Sequence, residues 1–267
     1  MNNAERFTNR VNYYAKYRPS YPVAYLDYLV KEVGFSGTSI VADIGAGTGI
    51  LSKLLAPRVK TVFAVEPNSE MRLAAAEYCK DTPNVAVVNG SAEATTLPDS
   101  SVDFITAAQA FHWFKLEEAR QDFSRILRPG GKVALAWNVR DTVSPIGREY
   151  ESLLKSFCAD YHSSGGGSIE NLAYRLLFKN SIYDSRIFPN DRHVDLETLI
   201  GYALSTSYAP IRGDEIYPAF IKSLIKFYET FAENGSVLLP MTTQSYVGEV
   251  EHRGLSGIAP ERLFPSF

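Results

Sequence analysis

Apolar and polar positions follow two alternating periods between residues 38 and 139. Short apolar-centred runs occur at 38–43, 61–66, 85–89, 102–107 and 132–138. Four of the five are nearly continuous in apolar residues at their centres, the pattern of strands buried on both faces of a parallel sheet. Helical spacing fills the gaps. Residues 48–56 set Ile50, Leu51, Leu54 and Leu55 on one face, and 69–79 combine the helix formers Ala, Leu, Met and Glu. Residues 116–127 place Leu116, Ala119, Phe123, Ile126 and Leu127 at i, i+3, i+4 spacing. The Pro and Gly of LRPGG at 127–131 are expected to stop the chain before the next strand. This alternation predicts right-handed βαβ units and a doubly wound α/β sheet.

After residue 139 the pattern changes. Residues 144–182 read as helix interrupted by SSGGGS at 163–168, and a strand is expected at 186–194. Asp195 is placed as the N-cap of a helix carrying Leu196, Leu199, Ile200 and Ala203. A long amphipathic helix is expected over 214–233 and a last strand over 241–250, while 253–267 carries no assignable pattern. One domain with a helical insertion after the fifth strand accounts for this order. Its parts are 1–37, an α/β core at 38–139, an insertion and cap with the sixth strand at 140–235, a last strand at 236–252, and a tail at 253–267.

Composition narrows the function. The chain has 267 residues, 45% hydrophobic and 21% charged, an ordinary globular mix. A net charge of −3 offers no basic excess to neutralise a phosphate backbone, which argues against nucleic acid as a partner. Cys79 and Cys158 make neither a disulfide framework nor a metal-ligand spacing. The polar start MNNAERFTNR lacks the apolar core of a signal peptide, and no run of about 18 apolar residues offers a membrane span. The expectation is a soluble, cytoplasmic protein.

The first strand runs directly into VADIGAGTG at 41–49. Gly45, Gly47 and Gly49, with Ala46 and Thr48 between them, allow a tight turn and close backbone approach to a ligand, and the next helix follows at once. Ile50 stands where a dinucleotide fingerprint has its third glycine. Asp43, two residues before the first glycine, would repel a pyrophosphate and suits a cationic ligand. Glu66 ends the second strand, where an acid can accept from ribose hydroxyls. Glu93 follows the third strand. Three acids around one cleft argue against a phosphate-rich cofactor.

With these residues in place, the chain resembles the class I S-adenosylmethionine-dependent methyltransferases. The matching stretches are VADIGAGTG, Glu66 in FAVEPNSEM, Ser91-Ala92-Glu93 before LPDSSVDFI, AQAFHWF at 108–114 and LRPGGKVAL at 127–135. YYAKYRPSYP at 13–22 and STSYAP at 205–210 are similar to the small-molecule group that includes trans-aconitate methyltransferase. The resemblance implies a Rossmann-like, mostly parallel seven-stranded sheet with helices on both faces, and S-adenosyl-L-methionine as cofactor. It puts Gly45, Gly47 and Gly49 against the methionine part, with Asp43 near the ammonium. Glu66 is implied at the ribose, Pro67 beside the adenine, and Ala92 and Glu93 at the adenine edge. Gln109 and Ala110 would line the sulfonium region, and Tyr14, Tyr17 and Arg18 would belong to an N-terminal helical lid within 1–37.

Several residues carry two readings. Glu93 could equally favour a helix N-terminus. His112 is a candidate general base beside Phe111, Trp113 and Phe114, or an aromatic-cluster packing residue. Trp113, Trp137 and Asn138 could wall the acceptor pocket, and Trp137 and Asn138 could equally belong to the core. Tyr208 and Arg212 follow the inserted helix; Arg212 could grip a carboxylate or stay solvated, and Arg18 could be a lid cation or stay solvated. Most tyrosines between Tyr13 and Tyr28 fit an aromatic face packing the first helix onto the sheet. The expected activity is direct in-line transfer of methyl to a small-molecule acceptor, a carboxylate or natural-product-like metabolite among the candidates, without a metal. The alternatives are an NAD(P)-dependent oxidoreductase and a non-catalytic S-adenosylmethionine-binding protein. Neither the acceptor nor the oligomeric state is readable.

Overall fold

The computed structural model describes residues 13, 16–158, 161 and 171–250. Pro19 and Pro22 separate the helical turn around Tyr17 from α1 (Val23–Tyr28), which runs on as a π-helical turn, Leu29–Val33. Gly34 closes that turn with φ 107°, a left-handed conformation that glycine adopts without a Cβ clash. The tyrosine-rich stretch does pack onto the sheet. Tyr21, Tyr25 and Tyr28 are buried, and the rings of Tyr25 and Tyr28 stand 5.7 and 5.5 Å from Phe188.

The regular alternation follows as β1 (Ile40–Ile44), α2 (Ile50–Leu55), β2 (Thr61–Val65), α3 (Ser69–Tyr78), β3 (Val85–Val88), β4 (Val102–Ala108), α4 (Leu116–Ile126) and β5 (Leu127–Arg140). Beyond it come α5 (Pro145–Phe157), α6 (Asn171–Leu177), β6 (Asp184–Pro189), β7 (Arg192–Val194), α7 (Leu196–Leu204), α8 (Tyr217–Phe231), β8 (Val237–Leu239) and β9 (Met241–Gly248). The main sheet has seven strands in the order β3-β2-β1-β4-β5-β9-β6. Neighbours from β3 to β5 are parallel, and β9 runs antiparallel to both β5 and β6. The strand order reverses between β1 and β4, the switch point where open α/β sheets leave a crevice beyond the strand ends.

Two local expectations change. LRPGG does not precede the fifth strand but belongs to it: Leu127 pairs with Val102, the register shifts before Lys132 meets Phe104, and Gly130 takes φ 79°. The extra residues are absorbed as an irregularity in the ladder, as in a bulge. The single strand expected at 186–194 is two. Pro189 supplies no N–H to continue the ladder, Asp191 Oδ1 accepts from Met241 N at 2.9 Å, and β7 leaves to pair with β8 as a separate two-stranded sheet.

Side chains alternate across β5. Leu135 and Trp137 join Phe111 and Phe123 on one face, while Ala134 and Ala136 face the apolar side chains of α1 and α2 on the other. A further core lies among α5, α7 and α8, built on Tyr150, Leu154, Leu199, Tyr202, Phe220 and Phe227. Asp195 caps α7 by accepting from Thr198 N at 2.8 Å. Among the described residues, no helix is long and apolar enough to cross a membrane.

Candidate functional site

A cleft opens at the switch point. Asp43, Gly45, Ala46, Ile50 and Leu51 line it from β1 and the following turn, Ala108, Gln109 and Asn138 from the ends of β4 and β5, and Arg18, Pro19 and Tyr21 from the N-terminal strap. The turn after β1 is shaped by Gly45, Gly47 and Gly49, at φ 66°, 57° and 82°. A Cβ on Gly45 would lie 2.6 Å from Cβ of Ala110, and one on Gly49 would lie 3.0 Å from Cys79 Sγ. Gly49 therefore serves the close helix packing that the dinucleotide fingerprint assigns to its third glycine, one position earlier in the chain.

Asp43 is the polar centre of the floor, only 1% exposed. Its two oxygens accept from Ser52 Oγ at 2.6 Å and Thr106 Oγ1 at 2.8 Å, joining β1 to α2 and β4. Burial pushes its carboxyl up to about 6, against the lowering effect of those hydroxyls. Glu66, at the end of β2, accepts from Gly47 N and Asn68 N, each at 2.9 Å. It braces the glycine turn and keeps further lone pairs on both oxygens. Burial raises its pKa as well. Thr48 Oγ1, in the same turn, is buried with no hydrogen-bond partner among the described residues.

The strap is fastened by side chains from distant elements. Asn138 Nδ2 donates to Pro19 O at 3.3 Å and Ser20 O at 3.2 Å, while its Oδ1 accepts from Thr243 Oγ1 at 2.6 Å and Asn190 Nδ2 at 3.0 Å. Asn190 Nδ2 also reaches Ser20 O at 2.9 Å. Gln109, left-handed at φ 58°, turns β4 out of the sheet and donates through Nε2 to Asn138 O at 2.9 Å.

Other expected residues are distributed differently. Tyr17 does not line the cleft; its hydroxyl donates to Glu197 Oε1 at 2.7 Å and it packs with the α5–α7–α8 core, so it pins the strap from behind. Arg18, the next residue, faces the cleft and donates to Ser205 O at 3.1 Å. Tyr14 lies outside the described residues. Pro67 is exposed, and Ala92 and Ala110 are buried. Glu93 accepts from Lys115 N at 2.9 Å, immediately before α4, which is the helix-terminus role open to it in the sequence. No helix of its own follows β3.

Trp137 is a correction. At 1% exposure it belongs to the core, edge-on to Phe111 and Tyr246, because odd positions of β5 face away from the cleft. Asn138, on the opposite face, does border it. Arg212 is exposed, the solvated alternative of its two readings. His112 is partly buried against Trp113, ring centroids 4.5 Å apart. Burial, aided by the charge of Arg18, lowers its pKa to about 4, so the ring is neutral at physiological pH. Asn190 and Thr243 escaped sequence reasoning, since only the tertiary fold brings them to the strap, and Tyr21 was read only as part of an aromatic packing face. Among the described residues no cluster of His, Cys, Asp and Glu is arranged to hold a metal ion.

The strand order, the glycine turn and the two acids correspond to one catalogued module, the family model described as "Methyltransferase domain", which matches residues 42–135. Residues 42–135 thus resemble a methyltransferase domain. The matched residues run from β1 into β5 and contain the floor of the cleft, whereas the strap and Asn138 lie outside them. The chain is 40% identical over 140 residues to an uncharacterised methyltransferase-like protein of Schizosaccharomyces pombe, covering 52% of this chain and 54% of that protein. It is 40% identical over 137 residues to an uncharacterised methyltransferase of Mycobacterium tuberculosis, covering 51% and 53%. The matches thus span about half the length of these curated relatives. In fold, a candidate type II methyltransferase from Anaeromyxobacter dehalogenans aligns with a TM-score of 0.61 over 88% of this chain and 99% of that one, at 22% identity.

Proposed function

We propose that the protein is an S-adenosylmethionine-dependent methyltransferase acting on a small-molecule acceptor. The observation that carries this reading is the pairing of two buried carboxylates, Asp43 and Glu66, on either side of a left-handed glycine turn. A polyphosphate cofactor would meet repulsion from both acids. A ligand with an ammonium group at one end and ribose hydroxyls further along finds an acceptor for each. Bound S-adenosylmethionine supplies a methyl group already activated by its sulfonium charge.

The chain's own part is to hold, align and exclude water. In this reading Asp43 takes the ammonium, Glu66 the ribose hydroxyls, and the backbone of Gly45–Gly49 approaches closely because no Cβ intervenes. Gln109 and Ala110 border the methionine end, and Arg18, Pro19 and Tyr21 close the cleft from above. The helices within 140–235 roof the acceptor side. Neutral His112 is available as a hydrogen-bond partner, and a carboxylate acceptor needs no general base, since its nucleophilic oxygen is already deprotonated. The narrower likeness to the trans-aconitate group, carried by YYAKYRPSYP and STSYAP, favours such an acceptor.

The test is a melting-temperature series with S-adenosylmethionine, S-adenosylhomocysteine and NADH. Ligand at about 100 times its Kd adds about 2.7 kcal/mol, roughly several degrees for a chain of this size. A shift with both sulfur nucleotides and none with NADH is expected; a shift with NADH alone overturns the reading. Methyl transfer to a panel of small acids then separates an enzyme from a protein that only binds the nucleotide.

A further inference from the structure

The corner that carries Glu66 is pinned from the side of α3. Gly45 N and Ala46 N donate to Val65 O at 2.9 and 3.1 Å, so the glycine turn leans on the end of β2. The chain then passes through Glu66, Pro67 and Asn68 into α3, where Asn68 Oδ1 caps the helix by accepting from Met71 N at 2.9 Å. Arg72, half-buried in the first turn of α3, folds its side chain back over this corner. Its Nη1 donates to Glu66 O at 3.0 Å and to Pro67 O at 2.6 Å.

That placement works against the helix. A cation brought to the N-terminal end of a helix opposes its dipole, and an acid is the favoured side chain there. What the arginine controls is one peptide plane. The peptide between Pro67 and Asn68 is trans, so its C=O and N–H point in opposite directions. Its carbonyl is the one that Arg72 binds at 2.6 Å, and its N–H is one of the two that hold the Glu66 carboxylate, at 2.9 Å. Turning this plane would break both bonds at once. The guanidinium charge acts on the same carboxylate: burial raises the pKa of Glu66, while the two N–H groups and Arg72 oppose that rise. Gly47 N takes Oε2 and Asn68 N takes Oε1, which leaves a lone pair on each oxygen for a ligand.

We propose that Arg72 is a positioning residue for the ribose of the cofactor: by holding the Pro67–Asn68 peptide it fixes the Glu66 carboxylate in the orientation that accepts from the ribose hydroxyls. This rests on the methyltransferase reading above, in which Glu66 takes those hydroxyls. Arg72 acts only through Glu66. Its removal therefore lowers recognition of the hydroxyls and leaves the methionine end, held at Asp43, as it was.

The experiment is calorimetry with S-adenosylhomocysteine, its 2′-deoxy and 3′-deoxy ribose analogues, and S-adenosyl-3-thiopropylamine, which lacks only the carboxylate of the methionine end. At least one deoxy analogue is expected to bind wild type about tenfold or more weakly than S-adenosylhomocysteine, because a charge-assisted bond is lost. Arg72→Met keeps the stem and a comparable helix propensity. It should cut this preference to about threefold or less, by weakening S-adenosylhomocysteine while the deoxy analogue binds as before. Arg72→Lys retains the charge and its donors and should regain most of the preference. In both variants the preference for S-adenosylhomocysteine over the thiopropylamine should stay within about twofold of wild type, and in a Glu66→Gln background Arg72→Met should alter the hydroxyl preference by less than about twofold. If Arg72→Met does not fold, Arg72→Gln takes its place with the same outcomes. An unchanged hydroxyl preference in the variant overturns the proposal. So does an equal loss for S-adenosylhomocysteine and both deoxy analogues, which a merely structural role would give, or a wild type that binds all three alike. Failure of the wild type to bind S-adenosylhomocysteine at all instead removes the methyltransferase reading on which the proposal stands.

Discussion

The ring of Tyr17 lies flat against Gly201 of α7: a Cβ built on that glycine would come within 2.3 Å of Tyr17 Cδ2 and 2.4 Å of Cε2. The glycine is a socket for the strap. Gly201→Ala should expel the ring while improving helix propensity by up to about 1 kcal/mol. The expected outcome is faster proteolytic cleavage near residues 16–20 and weaker binding of S-adenosylhomocysteine, with the melting temperature of the core nearly unchanged. Equal protease resistance in variant and wild type would falsify the socket.

Asp43 links the cleft to pH. Its folded-state value of about 6 lies above the 3.8 of an unperturbed carboxyl, so folding is disfavoured when the group ionises. Stability associated with Asp43 is full below about pH 3.8 and is lost as pH rises through about 6. The rise is about two units, on the order of 3 kcal/mol at neutral pH. Asp43→Asn is expected to gain stability relative to wild type between pH 4 and 7 in denaturant titrations, and to lose about tenfold or more in affinity for S-adenosylmethionine. A stability difference that stays flat over that range contradicts the assignment.

Glu66 receives two backbone N–H groups, and an amide can accept only through its oxygen. Glu66→Gln therefore turns an N–H donor toward either Gly47 N or Asn68 N, costing about 1–3 kcal/mol. Chemical denaturation should report this loss, and calorimetry a weaker S-adenosylmethionine complex. A variant as stable as wild type would show that the brace is dispensable.

His112 is neutral far below physiological pH, its value of about 4 set by burial and by Arg18. The rate of methyl transfer should carry no inflection from this residue between pH 6 and 8. His112→Phe should retain activity within about tenfold if the ring packs and donates one hydrogen bond. A fall beyond about a hundredfold would instead mark it as a base.

The floor of the cleft was legible in the chain and the roof was not, for a physical reason. Gly45, Gly47, Gly49, Asp43 and Glu66 sit at strand ends or in the turn between strand and helix, where position in the repeat determines position in space. Trp137 and Asn138 were assigned together because both end the same strand, yet the two-residue period of β5 sends them to opposite faces. Arg140 gave no local signal. Its tyrosine neighbours Tyr150, Tyr161, Tyr202 and Tyr208 come from separate segments, and only the packing of α5, α7 and α8 brings them together. Tyr17 was placed over the cofactor by the family resemblance alone, but its hydroxyl reaches Glu197 while its neighbour Arg18 faces the cleft.

The bond from Thr106 to Asp43 also bears on how a ligand comes and goes. The carboxylate is tied across the β1–β4 pair at the middle of the sheet, so the floor cannot breathe without unzipping the most interior hydrogen bonds of the molecule. The strap over it is held by a few side-chain bonds to Asn138, Asn190 and Glu197. Traffic through the cleft is thus governed from one side only, by a latch whose strength can be altered without disturbing the bed beneath it.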